Sequence, residues 1–180
     1  MKHRRRAALA PGAVLAVSLA IVLAGCSPIV ALTPAPDANN PDCASVIVRL
    51  PDEVGGLAQR QTDAQGTGAW GEPDEVVLTC GVEVPAASEL PCIDKGVFWL
   101  RDDSRDGIWV FTSFGRDPAV DVVVDRDIAS GPGVVLEDLE NAVSFAPENG
   151  LECTDTEDTV TGEDLGSPTP SATPTPTPAG

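Results

Sequence analysis

The sequence predicts an α+β domain: a small antiparallel sheet of about four strands with one or two packed helices, held by two disulfides and followed by a disordered Thr/Pro-rich tail. Three observations predict it. Aromatic and β-branched runs flank a turn at Asp106-Gly107, the pattern of a hairpin. Val134, Val135, Leu136, Leu139, Val143 and Phe145 recur at helical spacing, with Glu137, Asp138, Glu140 and Asn141 on the other side. Cys43, Cys80 and Cys92 precede these patterns and Cys153 follows them, an even number of cysteines that brackets the domain.

Residues 1–25 read as a lipoprotein signal peptide. Lys2, Arg4, Arg5 and Arg6 give a positive start, and residues 7–25 are small and apolar without a charged side chain. Leu23-Ala24-Gly25-Cys26 then resembles the bacterial lipobox, in which small residues ahead of the cysteine fit the signal peptidase and the thiol receives a diacylglycerol. Cys26 becomes the first residue of the mature chain and carries two palmitate-like acyl chains, the number that holds a protein stably at a membrane. A plain transmembrane anchor is the rival, since a bilayer needs ~20 apolar residues. Pro11-Gly12 breaks the stretch, however, and Cys26 closes it.

Residues 26–41 are rich in proline and lack a periodic apolar face, which predicts a lipidated, extended tether lifting the domain off the membrane. The domain itself is expected over residues 42–153. Asn40-Pro41-Asp42 offers an N-cap, a proline for the first helical position and an acid that suits the helix dipole, so a short helix is expected over residues 41–50. Val46, Ile47 and Val48 pull toward strand instead. After a polar stretch, residues 75–80, 96–101, 108–114 and 119–124 read as strands, the middle two forming the hairpin and Pro118 separating the last. The helix at residues 134–145 follows. No internal repeat is evident. Residues 154–180 form an acidic and then Thr/Pro-rich tail, whose only large aliphatic residues, Val160 and Leu165, are too few to build a core.

With Cys26 given to lipid, four cysteines remain in an exported chain, and two disulfides are expected. Three connectivities are open. The reading favours Cys80 with Cys92, closing a short loop, and Cys43 with Cys153, tying the ends of the domain together. A four-thiolate zinc site is disfavoured because no Cys-x-x-Cys pair occurs, and no metal or cofactor is expected.

Charge and absences exclude more. The chain carries 11 Lys+Arg against 28 Asp+Glu, a net −17, which becomes more negative once the basic start is removed. Such a chain has no phosphate-neutralising footprint, so no nucleic-acid partner is expected. His3 is the only histidine and Tyr is absent, so histidine-based triads and histidine-ligated zinc lack their parts.

Trp70-Gly71-Glu72-Pro73, Leu78-Thr79-Cys80-Gly81, Cys92, the aromatic strand with Trp99, and residues 111–118 followed by Val120 and Val122 together resemble a specific family: the actinobacterial exported proteins and lipoproteins catalogued as domain of unknown function 3515. The resemblance covers roughly residues 42–153. It implies no assigned activity and no catalytic residues to carry over. The Thr/Pro tail departs from simpler members, and nine Arg against two Lys suits a GC-rich source.

Local chemistry is sparse. Asp102, Asp103, Asp106, Asp117 and Asp121 lie near strand ends and could supply the acid and base of a glycosidase, although no motif singles out a pair. Residues 102–107 superficially match a calcium loop whose twelfth position, Ser113, is wrong. Arg116 beside Asp117 could clamp a carboxylate or phosphate while Trp70 or Trp109 stacks on a sugar; the plainer reading pairs Arg116 with Asp117 and buries the tryptophans. Phe98, Trp99, Trp109, Phe111 and Phe114 occupy both faces of the hairpin, so both must be covered. The expected function is a non-catalytic binding or accessory module on the extracytoplasmic face of the cell membrane, anchored through Cys26, with an envelope protein or glycan as partner; the alternative is a carboxylate-dependent envelope hydrolase.

Overall fold

The computed structural model describes residues 28–86, 88–154 and 156–157. Residues 1–25, expected as a signal peptide, Cys26, expected as the lipid site, and most of the tail lie outside the described residues. Helix α1 (Pro41–Ile47) begins as its sequence dictates: Asn40 caps it by accepting from the Asp42 amide at 3.0 Å, and Pro41 takes the first turn. The helix buries Cys43 and Val46 and stops short of Val48, which is exposed.

The sheet is larger than four strands. Strands β1 (Glu53–Val54), β2 (Leu57–Arg60), β3 (Thr67–Trp70) and β4 (Val76–Val82) form one meander, and β5 (Cys92–Asp94), β6 (Phe98–Asp102), β7 (Ile108–Phe114) and β8 (Ala119–Asp125) form a second. The two join through antiparallel β4 and β8, with Leu78 opposite Val122. The order is β1-β2-β3-β4-β8-β7-β6-β5, and the two-residue β9 (Thr156–Glu157) adds a parallel rung to β5.

Both helices cover one face. On it Val76, Leu78, Cys80, Trp99, Phe111, Val120, Val122 and Val124 meet Val135, Leu136, Leu139 and Val143 of α2 (Pro132–Val143) in a single core. Full burial of each aliphatic side chain contributes about 1.5–3 kcal/mol. The two flanks of the sheet curl around α2: the Gly55 amide donates to Asp138 at 2.8 Å on one side, and Lys95 pairs with Glu137 at 2.7 Å on the other. Phe145, expected in the core stripe, lies just past the helix and carries the Arg49 guanidinium 3.7 Å above its ring.

The disulfides correct the favoured pairing. They join Cys43 to Cys80 and Cys92 to Cys153. The register explains why: Cys80 points into the helix-covered core beside Cys43, whereas Cys92 aligns with Leu100 and Thr112 on the opposite face. Side chains on opposite faces of a sheet cannot bond. Cys153 instead brings the C-terminal segment across that second face, where Cys92, Leu100, Phe114 and Phe98 form a smaller cluster. The expectation that both faces of the aromatic hairpin need cover is met in this way.

Part of the segment expected as an extended tether, residues 26–41, is in contact with the domain. From Pro28 onward it lies on the domain, with Val30 bridged to Thr62 and Ala38 buried between Gly66 and Gly81.

Candidate functional site

The β7–β8 connection carries the most developed local chemistry. Gly115 has φ +77°, and its missing Cβ leaves room for the Leu151 carbonyl. Residues 147–149 run alongside: the Asp117 amide donates to Pro147 O at 3.0 Å, and the Asn149 amide to Gly115 O at 2.9 Å. Arg116 turns inward, its side chain only 12% exposed. Its Nη1 donates to Ser144 O at 3.1 Å and Ala146 O at 2.9 Å, filling carbonyls left over at the C-terminal end of α2, while Nη2 pairs with Glu148 at 3.2 Å. Beside it lies a shallow cavity of about 120 Å³ lined by Val97, Phe98, Phe114, Arg116, Glu148 and Leu151.

The sequence-predicted site residues separate. Arg116 reaches this cavity edge, and its partner is Glu148, with no Arg116–Asp117 ion pair among the described residues. Asp117 is exposed. Trp70 is fully buried and its indole donates to Pro51 O at 3.0 Å. Trp109 is 7% exposed with Arg126 5.5 Å above its ring. Trp70 is enclosed by the core and Trp109 is covered by the core and by Arg126, so neither offers a ring for a sugar to stack on. Glu148 was not singled out in the sequence, Phe98 and Phe114 were read there as hairpin aromatics in need of cover, and only the fold brings residues 148–151 next to β7.

The acids also scatter. Asp102, Asp103 and Asp106 sit at or beside the β6–β7 turn, Asp117 at the other end of β7, and Asp121 in the middle of β8. The Ser104 hydroxyl, and then the Ser104 amide that donates to Asp102 at 2.9 Å, hold the Asp102 carboxyl below the usual range and build the turn. No group of His, Cys, Asp or Glu among the described residues is arranged to hold a metal ion.

Asp121 is the carboxylate the fold perturbs most informatively. It lies on the face away from the helices, in a cross-strand row with Thr79 and Thr112, and accepts from the Thr112 hydroxyl at 2.6 Å. Burial raises its pKa, and the Thr112 bond only partly opposes this. A folded-state pKa above the unfolded one means the folded chain binds the proton more tightly, so this group favours folding below about pH 4 and loses that contribution as pH rises through its folded pKa. Asp121→Asn is expected to remove that pH dependence and to be neutral or stabilising at pH 7, as read by urea denaturation at acid and neutral pH. A clear loss of stability at pH 7 would show the charged form to be the favoured one.

The model of a family described as "Protein of unknown function (DUF3515)" matches residues 8–150, most of the chain, and the chain belongs to that family. No curated protein and no solved structure matches it. Among the described residues no helix is long and apolar enough to cross a membrane.

Proposed function

We propose, taking membership of this family as the premise, that the mature chain is a lipid-anchored, non-catalytic binding or accessory module on the outer face of a bacterial cytoplasmic membrane. The observation that carries the reading is Leu23-Ala24-Gly25-Cys26 closing an apolar stretch that follows a basic start. Two disulfides in the folded body fit an exported destination. The non-catalytic part is supported by the dispersal of the acids over two ends and one face, where a glycosidase needs a pair held at a set separation. It is also supported by Arg116, whose bonds to Ser144, Ala146 and Glu148 hold the C-terminal segment in place. An envelope protein or glycan remains the partner class of choice, because the strongly acidic body has no footprint for nucleic acid.

Intact mass of the membrane-extracted protein tests the anchor. A chain starting at Cys26 with an added diacylglyceryl group is expected, and Cys26→Ala is expected to move the protein wholly out of the membrane fraction. Retention of that variant in membranes, or a mass that keeps residues 1–25, would restore a transmembrane anchor.

A further inference from the structure

The N-terminal segment reaches the domain at Pro28 and stays on it. Arg60 Nη2 donates to the Pro28 carbonyl at 2.8 Å, the Val30 amide donates to Gln61 O at 2.8 Å, and the Leu32 amide donates to Asp63 Oδ1 at 2.9 Å. Val30 is 4% exposed, so this docking buries apolar surface as well. One residue, Ser27, separates Pro28 from Cys26. Successive Cα atoms are ~3.8 Å apart, so the Cα of Cys26 lies within about 7.6 Å of that of Pro28 whatever path the chain takes.

A lipid on the Cys26 sulfur sits with its glyceryl group among the headgroups, and so short a connection leaves the folded body no room to stand off. Ile29, next to Pro28, is an apolar side chain 60% exposed at that point. Arg60 also binds the Gly71 carbonyl at 2.8 Å and lies 3.5 Å from Glu72, which places the β3–β4 loop on the same flank. The exposed Glu72 and Asp74 would be repelled by anionic headgroups, so covalent reach, not charge, must hold this flank down.

We propose that the domain rests directly on the bilayer, with Ile29 at the boundary between headgroups and acyl chains and the flank formed by Pro28, Arg60 and the β3–β4 loop facing a phospholipid surface. This rests on the lipid-anchored reading of Cys26. The orientation has a functional consequence. The β3–β4 loop adjoins the end of β8, where the Asp125 amide donates to Glu75 O at 2.8 Å, while Arg116 and its cavity adjoin the start of β8. The cavity end and the C-terminal segment thus point away from the membrane, toward any envelope partner.

The test uses the full lipidated chain in vesicles of phospholipid brominated in the upper acyl chain, compared with unbrominated vesicles. The three native tryptophans are buried, and their signal is subtracted using the parent protein. Emission added by Ile29→Trp is expected to fall by at least half in the brominated vesicles, whereas emission added by Leu151→Trp, beside the Arg116 cavity, is expected to stay unchanged. A Gly-Ser spacer inserted between Ser27 and Pro28 is expected to abolish the Ile29→Trp quenching while the protein stays bound. With the lipid confirmed by mass, equal quenching at Ile29 and Leu151, no quenching at either, or quenching that survives the spacer would each overturn the docking alone. Absence of the lipid would overturn both the docking and the anchor on which it rests.

Discussion

A chain in which Cys43 and Cys80 are both alanine is expected to unfold about 4 kcal/mol more readily than its parent. The bridge spans a sequence separation of 37, and loop closure of that size accounts for about 4 kcal/mol in the chain-entropy account. Both sulfurs lie in the main core, at 1% and 0% exposure, so their removal also leaves cavities that the surrounding Val46, Leu78 and Val120 cannot fully close. For a domain of this size the thermal midpoint falls by roughly 15 °C. Scanning calorimetry of the mature chain without reductant reads this directly, and a shift below about 1 kcal/mol would mean the bridge constrains little. The second bridge behaves differently under mild reductant. Cys153 is half-buried at the periphery, while Cys43 and Cys80 are sealed, so alkylation after brief reduction is expected to label Cys92 and Cys153 first. Equal labelling of all four would show that the core opens as easily as the edge.

The features legible in the sequence are those that local pattern dictates. The Asp106-Gly107 hairpin, the valine-rich β8, the capped start of α1 and the stripe of α2 each declare themselves within a dozen residues, through turn chemistry, alternation or capping. What escaped depends on partners far along the chain. Leu57–Arg60 holds one large apolar residue in four, and Thr67–Trp70 is buried throughout although two of its four residues are Gly68 and Ala69, with Leu50 lying close over Gly68. Neither run shows the alternation that marks a strand with one wet face. The docked segment 28–40 escaped because its prolines and lack of periodicity suit a free linker equally well, and the contacts that hold it are supplied by Gln61, Asp63 and Gly81. The disulfide pairing failed for a further reason. Nearness in sequence favoured Cys80 with Cys92, whereas the parity of the strands puts them on opposite faces. At the candidate site, Arg116 was visible as a rare cation at a strand break, but its partners Ser144, Ala146 and Glu148 follow from tertiary packing alone.

Gly81→Ala tests how the N-terminal segment is held. Gly81 has φ +89°, and a Cβ there would land on the Asp37 carbonyl group and 2.6 Å from the Ala38 nitrogen. The strained backbone costs ~1–3 kcal/mol and the overpacking adds a term of similar size, since a backbone obstacle cannot rotate aside as a side chain can. A loss of about 3 kcal/mol is expected, together with local release. The Asp37 amide donates to Gly81 O at 3.0 Å and the Asn40 amide to Asp37 O at 3.0 Å, so both amides should exchange with solvent much faster when the turn is pushed off β4. Gly56→Ala separates strain from contact. It has φ +79° but nothing within 4 Å of the added methyl, so it should cost only the backbone term, about 1 kcal/mol, and leave exchange at Asp37 unchanged. If the two variants lose the same stability and Asp37 exchanges at the parent rate in both, the close approach at Gly81 contributes nothing. If Gly81→Ala frees the segment as far back as Val30, the lipidated chain gains the reach of an inserted spacer, and Ile29→Trp quenching should weaken in that background as well.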